Sequence, residues 1–246
     1  MQDDANCGSF SGKTFFLRLL AILAFGIALF SFTNWRAGSA GADDSEAKEG
    51  HALARFSSWV LFGGRAVKGA PFLAYGFLSE IEALPRSTSQ PENEASAILT
   101  FVIEGTVVDI RQSPPALLIK SQGTLRFFFD PQAKRDFTRP ESFRSGEGVA
   151  TYNIQRRVLF EPTAGWLLDS SVAQLVSSHN FTVNNIEQNL ARLWGSQLML
   201  QSRAHAGNGL PSPLPQYAGA LPYSGKVFVS GERTEQTHST LLVSAR

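Results

Sequence analysis

Short runs in which apolar and polar residues alternate dominate the middle of the chain. Leu99, Phe101 and Ile103 begin the series, and similar runs follow at 116–120, 124–129, 150–154, 157–160 and 165–168. A two-residue period indicates a strand with one buried face. Short strands separated by turn residues are typical of a barrel or a sandwich. We therefore predict a mainly β domain over residues 98–246, a small barrel or sandwich with a few helices.

The most apolar run of the chain is residues 15–35, which begin with Phe15 and end with Trp35. Its length suits a bilayer-spanning helix, which needs about 20 residues. Its single charge, Arg18, stands near the start, where a long side chain can reach the interface. The bias of Lys and Arg around the run favours a cytoplasmic N-terminus. We predict one transmembrane helix at 15–35 after a short cytoplasmic N-terminus, residues 1–14.

A cleaved signal peptide is the alternative for the same region. The small residues Ala40, Gly41 and Ala42 make Ala42 a candidate cleavage site. Both interpretations place residue 43 onward outside the cytoplasm. Because the anchor and linkers are typical of a bacterial envelope protein, we predict a single-pass protein of the bacterial inner membrane with most of the chain in the periplasm.

Two linkers of small, polar and charged residues, 36–50 and 85–97, flank a second apolar region at 51–84. A second span there would bury Arg65 and Lys68 at a cost of roughly 2.5–3.5 kcal/mol each. It would also return the C-terminal domain to the cytoplasm. We instead predict short helices over 51–84 that lie on the membrane surface or pack on the main domain, with entry of this region into the membrane left open.

Helical spacing follows the predicted strands, and we predict a helical insert at 170–203. Asn184 and Glu187 have the spacing of a capping box, and apolar residues recur along one helical face behind them. This stripe either packs on the barrel or belongs to a partner surface. The most basic region of the chain is either a solvated loop or a docking site for an acidic partner or lipid headgroups. The resulting interaction candidates are Ile186, Leu190, Trp194, Arg156 and Arg157.

Several classes of function lack their sequence signals. Gly8 and the Gly12-Lys13-Thr14 run enclose three residues, whereas a phosphate-binding loop needs four. A net charge of +1 leaves no electrostatic footprint for nucleic acid. Cys7 is the one cysteine, and the four histidines have no metal-ligand spacing. We find no catalytic motif either, and so predict no nucleotide, nucleic acid, cofactor or metal, and a protein that is not an enzyme.

Residues 99–168 resemble the periplasmic homology region of type II secretion protein C-like inner-membrane proteins. The resemblance is carried by Gly105-Thr-Val107-Val108, Ala116-Leu-Leu-Ile with Gly123, Phe143-x-x-Gly146-Glu, Ile154-x-x-Arg157-Val-Leu-Phe160 and Gly165-Trp-Leu-Leu168. It implies a non-enzymatic connector between membrane and periplasmic components. A generic OB-like or SH3-like barrel would produce the same matches and stays open.

These observations lead to one predicted function and two alternatives. The prediction is a membrane-anchored, non-enzymatic scaffold or assembly subunit of an envelope complex that binds a protein partner through its β domain. The alternatives are a lipid- or small-ligand-binding barrel and an envelope enzyme with an unrecognised site. A flat apolar patch would favour the first, a large apolar cavity the second, and convergent carboxylates or an exposed serine in a cleft the third.

Overall fold

In the residues that the structure describes, the fold consists of ten β-strands and one short α-helix. The computed structural model describes residues 52–63, 67–82, 84, 91, 93–132, 134–161 and 163–229. The strands are β1 (Ala52–Phe62), β2 (Pro71–Ser79), β3 (Leu99–Ser113), β4 (Ala116–Phe129), β5 (Glu147–Glu161), β6 (Trp166–Ser178), β7 (Phe181–Val183), β8 (Ile186–Gln188), β9 (Gln197–His205) and β10 (Gly219–Val229). The α-helix, α1, spans Leu190–Trp194, and 3-10 helices lie at Glu94–Ser96, Pro140–Arg144 and Ala206–Asn208.

Eight of the strands close into an antiparallel barrel in the order β1-β10-β9-β6-β5-β4-β3-β2. Apart from the hairpin of β7 and β8, which forms its own two-stranded sheet, every strand pairs with its neighbours along the chain. β1 closes the ring by pairing with β10. The predicted barrel is therefore confirmed. It begins at Ala52 rather than at residue 98, because β1 and β2 belong to it.

Aromatic side chains fill much of the barrel interior. The rings of Phe56 and Phe101 meet edge to face with their centroids 5.5 Å apart, and Phe101 and Phe127 are 6.2 Å apart. Phe127 then meets Tyr152 at 5.8 Å and Trp194 at 5.6 Å. Such edge-to-face pairs contribute beyond the area that they bury. This chain of rings links four barrel strands to α1.

A second apolar cluster lies on the outside of β1, β2 and β3, where the segment between β4 and β5 covers it. Phe137 and Phe143 of that segment pack on Tyr75 with ring centroids 5.9 and 5.1 Å away. Tyr75 Oη donates to the Phe137 carbonyl at 2.8 Å, and Thr100 Oγ1 donates to the Phe143 carbonyl at 2.9 Å. β2 is thus buried on both faces, which corrects the helices predicted over 51–84. A strand that is covered on both faces has a continuous apolar sequence, and periodicity alone cannot distinguish such a run from a buried helix.

The helical insert predicted over 170–203 is also corrected. Strands β6 to β9 occupy most of it, and α1 contributes only one short turn of helix. Asn184 and Asn185 have φ values of 50° and 63° and join β7 to β8. Two successive residues at positive φ make the favoured hairpin turn, for which asparagine is well suited. The apparent capping box is therefore a hairpin turn, and the true N-cap is Asn189, whose side chain accepts from Ala191 N and Arg192 N.

The predictions for residues 1–50 fall outside the described residues. Within the ranges that are described, no helix has the length and apolar character needed to cross a bilayer.

Candidate functional site

The barrel interior contains one buried ion pair, formed by Arg156 on β5 and Asp169 on β6. Arg156 Nε donates to Asp169 Oδ2 at 3.0 Å, and Nη2 of the same guanidinium donates to that oxygen as well. Ser171 Oγ donates to Asp169 Oδ1 at 2.8 Å, and the guanidinium carbon lies 4.7 Å from the centre of the Phe72 ring. Burial opposes the charge on Arg156, but the Asp169 carboxylate outweighs it and raises the pKa of the guanidinium.

A small cavity adjoins this ion pair. Its polar lining comes from Ser58, Arg156, Asp169, Ser171 and Ser202. Its volume is about 10 Å³, counted as the space open to the centre of a water molecule. That is close to the minimum for one water molecule, whereas pockets for drug-sized ligands measure hundreds of cubic ångströms. Along this stretch the interior is packed by side chains around the ion pair.

The outer face of β6 carries exposed apolar side chains at regular intervals. Trp166, Leu168, Val172 and Val176 are 39%, 45%, 42% and 57% exposed. Alternate residues of a strand point to the same face, so all four lie on the outside of the barrel. The residues between them that face inward include the buried Asp169. β6 thus has a polar group inside and apolar groups in contact with solvent.

Strand register extends this apolar strip onto two neighbouring strands. Leu118 on β4 is paired with Leu159 on β5, and Leu159 is paired with Leu168 on β6. Leu118 and Leu159 are both partly exposed. We define the outer patch as Leu118, Leu159, Trp166, Leu168 and Val172. Leu118, Leu159, Leu168 and Trp166 form its continuous part on three adjacent strands, and Val172 lies beyond Ser170 on β6.

A row of mostly basic residues crosses the barrel next to the leucines of the outer patch. In register order this basic row consists of Lys120, Arg157, Ser170, Gln201, Lys226 and Arg55. On its other side, Val172 pairs with Met199, which pairs with Phe228. On β4 and β5 the same line continues as Gln122 and Gln155, so Lys120 and Arg157 have leucines on one side and glutamines on the other.

The predicted interaction candidates separate into two groups. Ile186 is 55% exposed on β8, and Arg157 is exposed in the basic row. Leu190, Trp194 and Arg156 are 0%, 1% and 4% exposed. Leu190 and Trp194 thus pack inside the barrel, which is the first of the two alternatives for the helical stripe, whereas Arg156 lies in neither a solvated loop nor a surface docking site. Side chains inside the barrel cannot contact a partner on its surface. The structure does not bring the five candidates together into one surface.

The basic loop between β4 and β5 is largely paired within the domain. Arg144 Nη2 and Nη1 donate to the two carboxylate oxygens of Glu104 at 2.7 and 3.1 Å. Hydrogen bonding from Arg144 lowers the pKa of the Glu104 carboxyl. Arg139 Nε donates to Asp136 Oδ2 at 3.2 Å. These contacts explain the loop's charge as part of the fold.

The enzyme alternative requires convergent carboxylates or an exposed serine in a cleft. Among the described residues, no three His, Cys, Asp or Glu side chains lie together in a way that could hold a metal ion. Ser171 lies beside a carboxylate, but it is 3% exposed and uses its hydroxyl hydrogen to bind Asp169. A buried hydroxyl that donates to a structural ion pair is poorly placed to attack a substrate.

Comparison with known proteins adds no further constraint: no family model, curated protein or solved structure matches the chain. The fold and surface nevertheless define a class, a closed antiparallel meander barrel with a buried ion pair and an apolar outer patch. The outer patch was not predicted, because 165–168 has strand spacing whereas the rest of β6 lies in the segment that was predicted to be helical.

Proposed function

We propose that the protein is a non-enzymatic interaction subunit whose barrel binds a protein partner through the outer patch. The observation that carries this proposal is the contiguous set of leucines on β4, β5 and β6, together with the exposed Trp166. Contiguous exposed apolar surface marks interaction sites, and aromatic residues are enriched in the cores of interfaces.

The predicted topology gives this module its setting. If residues 15–35 span the membrane, the linker 36–50 connects that anchor to the start of β1. The barrel then serves as a scaffold or assembly unit at the periplasmic face of a bacterial inner membrane. This is also the connector role that the resemblance to type II secretion protein C-like proteins implies.

A ligand-binding barrel is the second candidate, because eight-stranded meander barrels include lipid carriers. The observation in its favour is the interior cavity beside Arg156 and Asp169. Its size suits one water molecule rather than a lipid chain. The exposed apolar surface therefore supports the interaction subunit better than the interior supports a carrier.

Site-specific photo-cross-linking in the membranes of the producing cells tests the proposal. The full chain carries p-benzoylphenylalanine in place of Leu168 or, as a control, in place of Arg126, which is exposed on the opposite half of β4. We expect the probe at position 168 to join the chain to one partner protein in fixed proportion, and the probe at position 126 to give no such product.

A second pair of variants links the product to the apolar surface. Both chains carry the photoreactive probe at Val172 instead of at Leu168. One of them also carries Leu168→Asp, and the other carries Asn153→Asp. Both substitutions introduce one carboxylate on the outer face, but Asn153 lies outside the outer patch and is almost isosteric with aspartate. Loss of the product with Leu168→Asp alone supports the proposal. Equal yields from positions 168 and 126, or no effect of Leu168→Asp, would overturn it.

A further inference from the structure

Two cations face each other directly across β4 and β5. Lys120 is paired with Arg157 in the register of the two strands. Directly opposed side chains of an antiparallel pair lie about 5 Å apart, and like charges there are destabilising. Arg157 is exposed and Lys120 is partly exposed. The pair therefore concentrates positive charge at one point of the outer surface.

Two acidic groups near the basic row form ion pairs with other cations. Asp109 pairs with Lys120 in the register of β3 and β4, but its Oδ2 accepts from Arg111 Nε at 2.8 Å. At the other end of the basic row, Arg55 Nε lies 2.9 Å from Glu80 Oε2. In the part of the chain that the structure describes, neither Lys120 nor Arg157 has an ion pair of this kind. An added anion at the Lys120–Arg157 pair would therefore offset the repulsion between two like charges.

The residues beside the two cations differ on their two sides. Leu118 and Leu159 lie on one side of Lys120 and Arg157 in the register of β4 and β5, and Gln122 and Gln155 lie on the other. A surface with charges, apolar groups and amides side by side has the mixed composition of a protein–protein interface. A protein partner can place carboxylates over the cations, apolar side chains over the leucines and hydrogen-bonding groups over the amides.

We propose that the partner of the outer patch is an acidic protein surface, with carboxylates that bind Lys120 and Arg157 and apolar side chains that cover the adjacent leucines. This inference rests on the proposed function, since it names the chemistry of the partner bound there. The carboxylates fix the register of docking and speed encounter, while the adjacent leucines supply the buried area. At the edge of the patch an apolar group again lies beside a cation, since the guanidinium carbon of Arg203 is 5.6 Å from the ring centre of Trp166.

A zero-length cross-linker tests the inference directly. A water-soluble carbodiimide activates a carboxylate, and an amine in contact with it displaces the urea to form an amide. Treatment of membranes that contain the full chain should join Lys120 Nζ to an Asp or Glu of the partner that the 168 probe captures. Lys120→Arg keeps the positive charge but cannot form this amide. We expect it to retain the photo-cross-link at position 168 and to lose the carbodiimide product.

The control for amine reactivity is Lys68→Arg, because Lys68 is an exposed lysine on the loop between β1 and β2. That variant should leave the carbodiimide product unchanged. Removing both charges with Lys120→Gln and Arg157→Gln should lower the yield of the 168 photo-cross-link about tenfold at low salt, the ratio that loss of one strong charged contact produces. High salt should lower the wild-type yield in the same direction.

The outcomes separate this inference from the proposed function. One outcome is a photo-cross-link at position 168 whose yield is unchanged by salt and by the double substitution, with no amide through Lys120. That outcome would overturn the acidic partner but would still support the interaction subunit. Absence of the 168 product would overturn the proposed function itself. Binding of the chain to vesicles of phosphatidylglycerol and phosphatidylcholine that is lost in the double variant, without a protein product, would identify lipid headgroups as the anion and overturn the inference.

Discussion

β5 and β6 lie side by side in the barrel, and apart from Arg156 and Leu159 of β5 they distribute polarity in opposite ways. On β5 the inward positions Tyr152 and Ile154 are apolar and buried, while Asn153 and Arg157 face solvent. On β6 Asp169 faces inward while apolar groups face out. The usual pattern of an antiparallel sheet with one solvated face is the arrangement of β5.

The difference originates in a single residue of β5. Arg156 takes an inward position, and a buried cation needs a partner of opposite charge. Asp169 supplies that partner from the paired strand, with Ser171 completing its hydrogen bonds. The polar interior of β6 therefore follows from the needs of the fold. The apolar exterior of β6 meets no such need, which is why we assign it to a partner.

The largest effect should come from breaking the ion pair between Arg156 on β5 and Asp169 on β6. Asp169→Ala leaves Arg156 buried without a counter-charge, and we expect the free energy of unfolding to fall by about 3–5 kcal/mol. Denaturant unfolding of the detergent-purified chain, followed by tryptophan fluorescence, measures it. The double variant Arg156→Met, Asp169→Leu should recover most of the loss. A loss below about 1 kcal/mol in the single variant would show that the pair is not a structural requirement.

Next in size is the contrast between two positions that the sequence assigns to one helical stripe. Leu190→Ala removes a fully buried side chain and should cost about 2–5 kcal/mol. Ile186→Ala removes an exposed one and should change stability by less than about 0.5 kcal/mol. The same unfolding experiment measures both. Similar costs at the two positions would contradict the burial of α1 against the barrel.

A smaller effect is expected on the outer face of β6. Leu168→Thr keeps strand propensity while removing apolar surface, so stability should change by at most about 0.5 kcal/mol. The photo-cross-link from position 172 should nevertheless weaken. If Leu168→Thr instead destabilised the chain by about 2 kcal/mol or more, the side chain would be part of the core and the contrast with β5 would fail.

A small effect that depends on pH concerns Glu104 and Arg144, a pair on the conventional outer surface. Arg144→Gln should cost about 0.2–1 kcal/mol at neutral pH, because the pair is partly exposed. Since Arg144 lowers the pKa of Glu104, this stability is present above the ordinary glutamate pKa of 4.5 and is lost as the pH falls through the lower, folded-state value. Unfolding curves of both chains should converge in acid. A difference that is constant with pH would exclude the carboxylate as its source.

Sequence pattern predicted the β class and where strand residues lie between Leu99 and Leu168, because in that region alternation is visible. It divided β4 and β5 into two strands each, whereas both are continuous. It could not predict β1 and β2, since the loop carrying Phe137 and Phe143 buries their outer face as well. Of the candidate site residues, Arg156 and Arg157 were both predicted to be available to a partner. The pattern could not show that Arg157 is exposed while Arg156 is buried.

What the sequence determined by itself is local: which segments alternate, where turns interrupt them, and which residues carry charge. The transmembrane helix at residues 15–35 also comes from the sequence alone, and it stays a prediction because those residues lie outside the described part of the chain. Only the tertiary structure decided which face of each strand points inward. Closing the barrel pairs Arg156 with Asp169 and aligns leucines from three strands on the outside. That outcome depends on strand register, in which a shift of one residue exchanges the two faces, and a single strand's pattern carries no information about its neighbour's register.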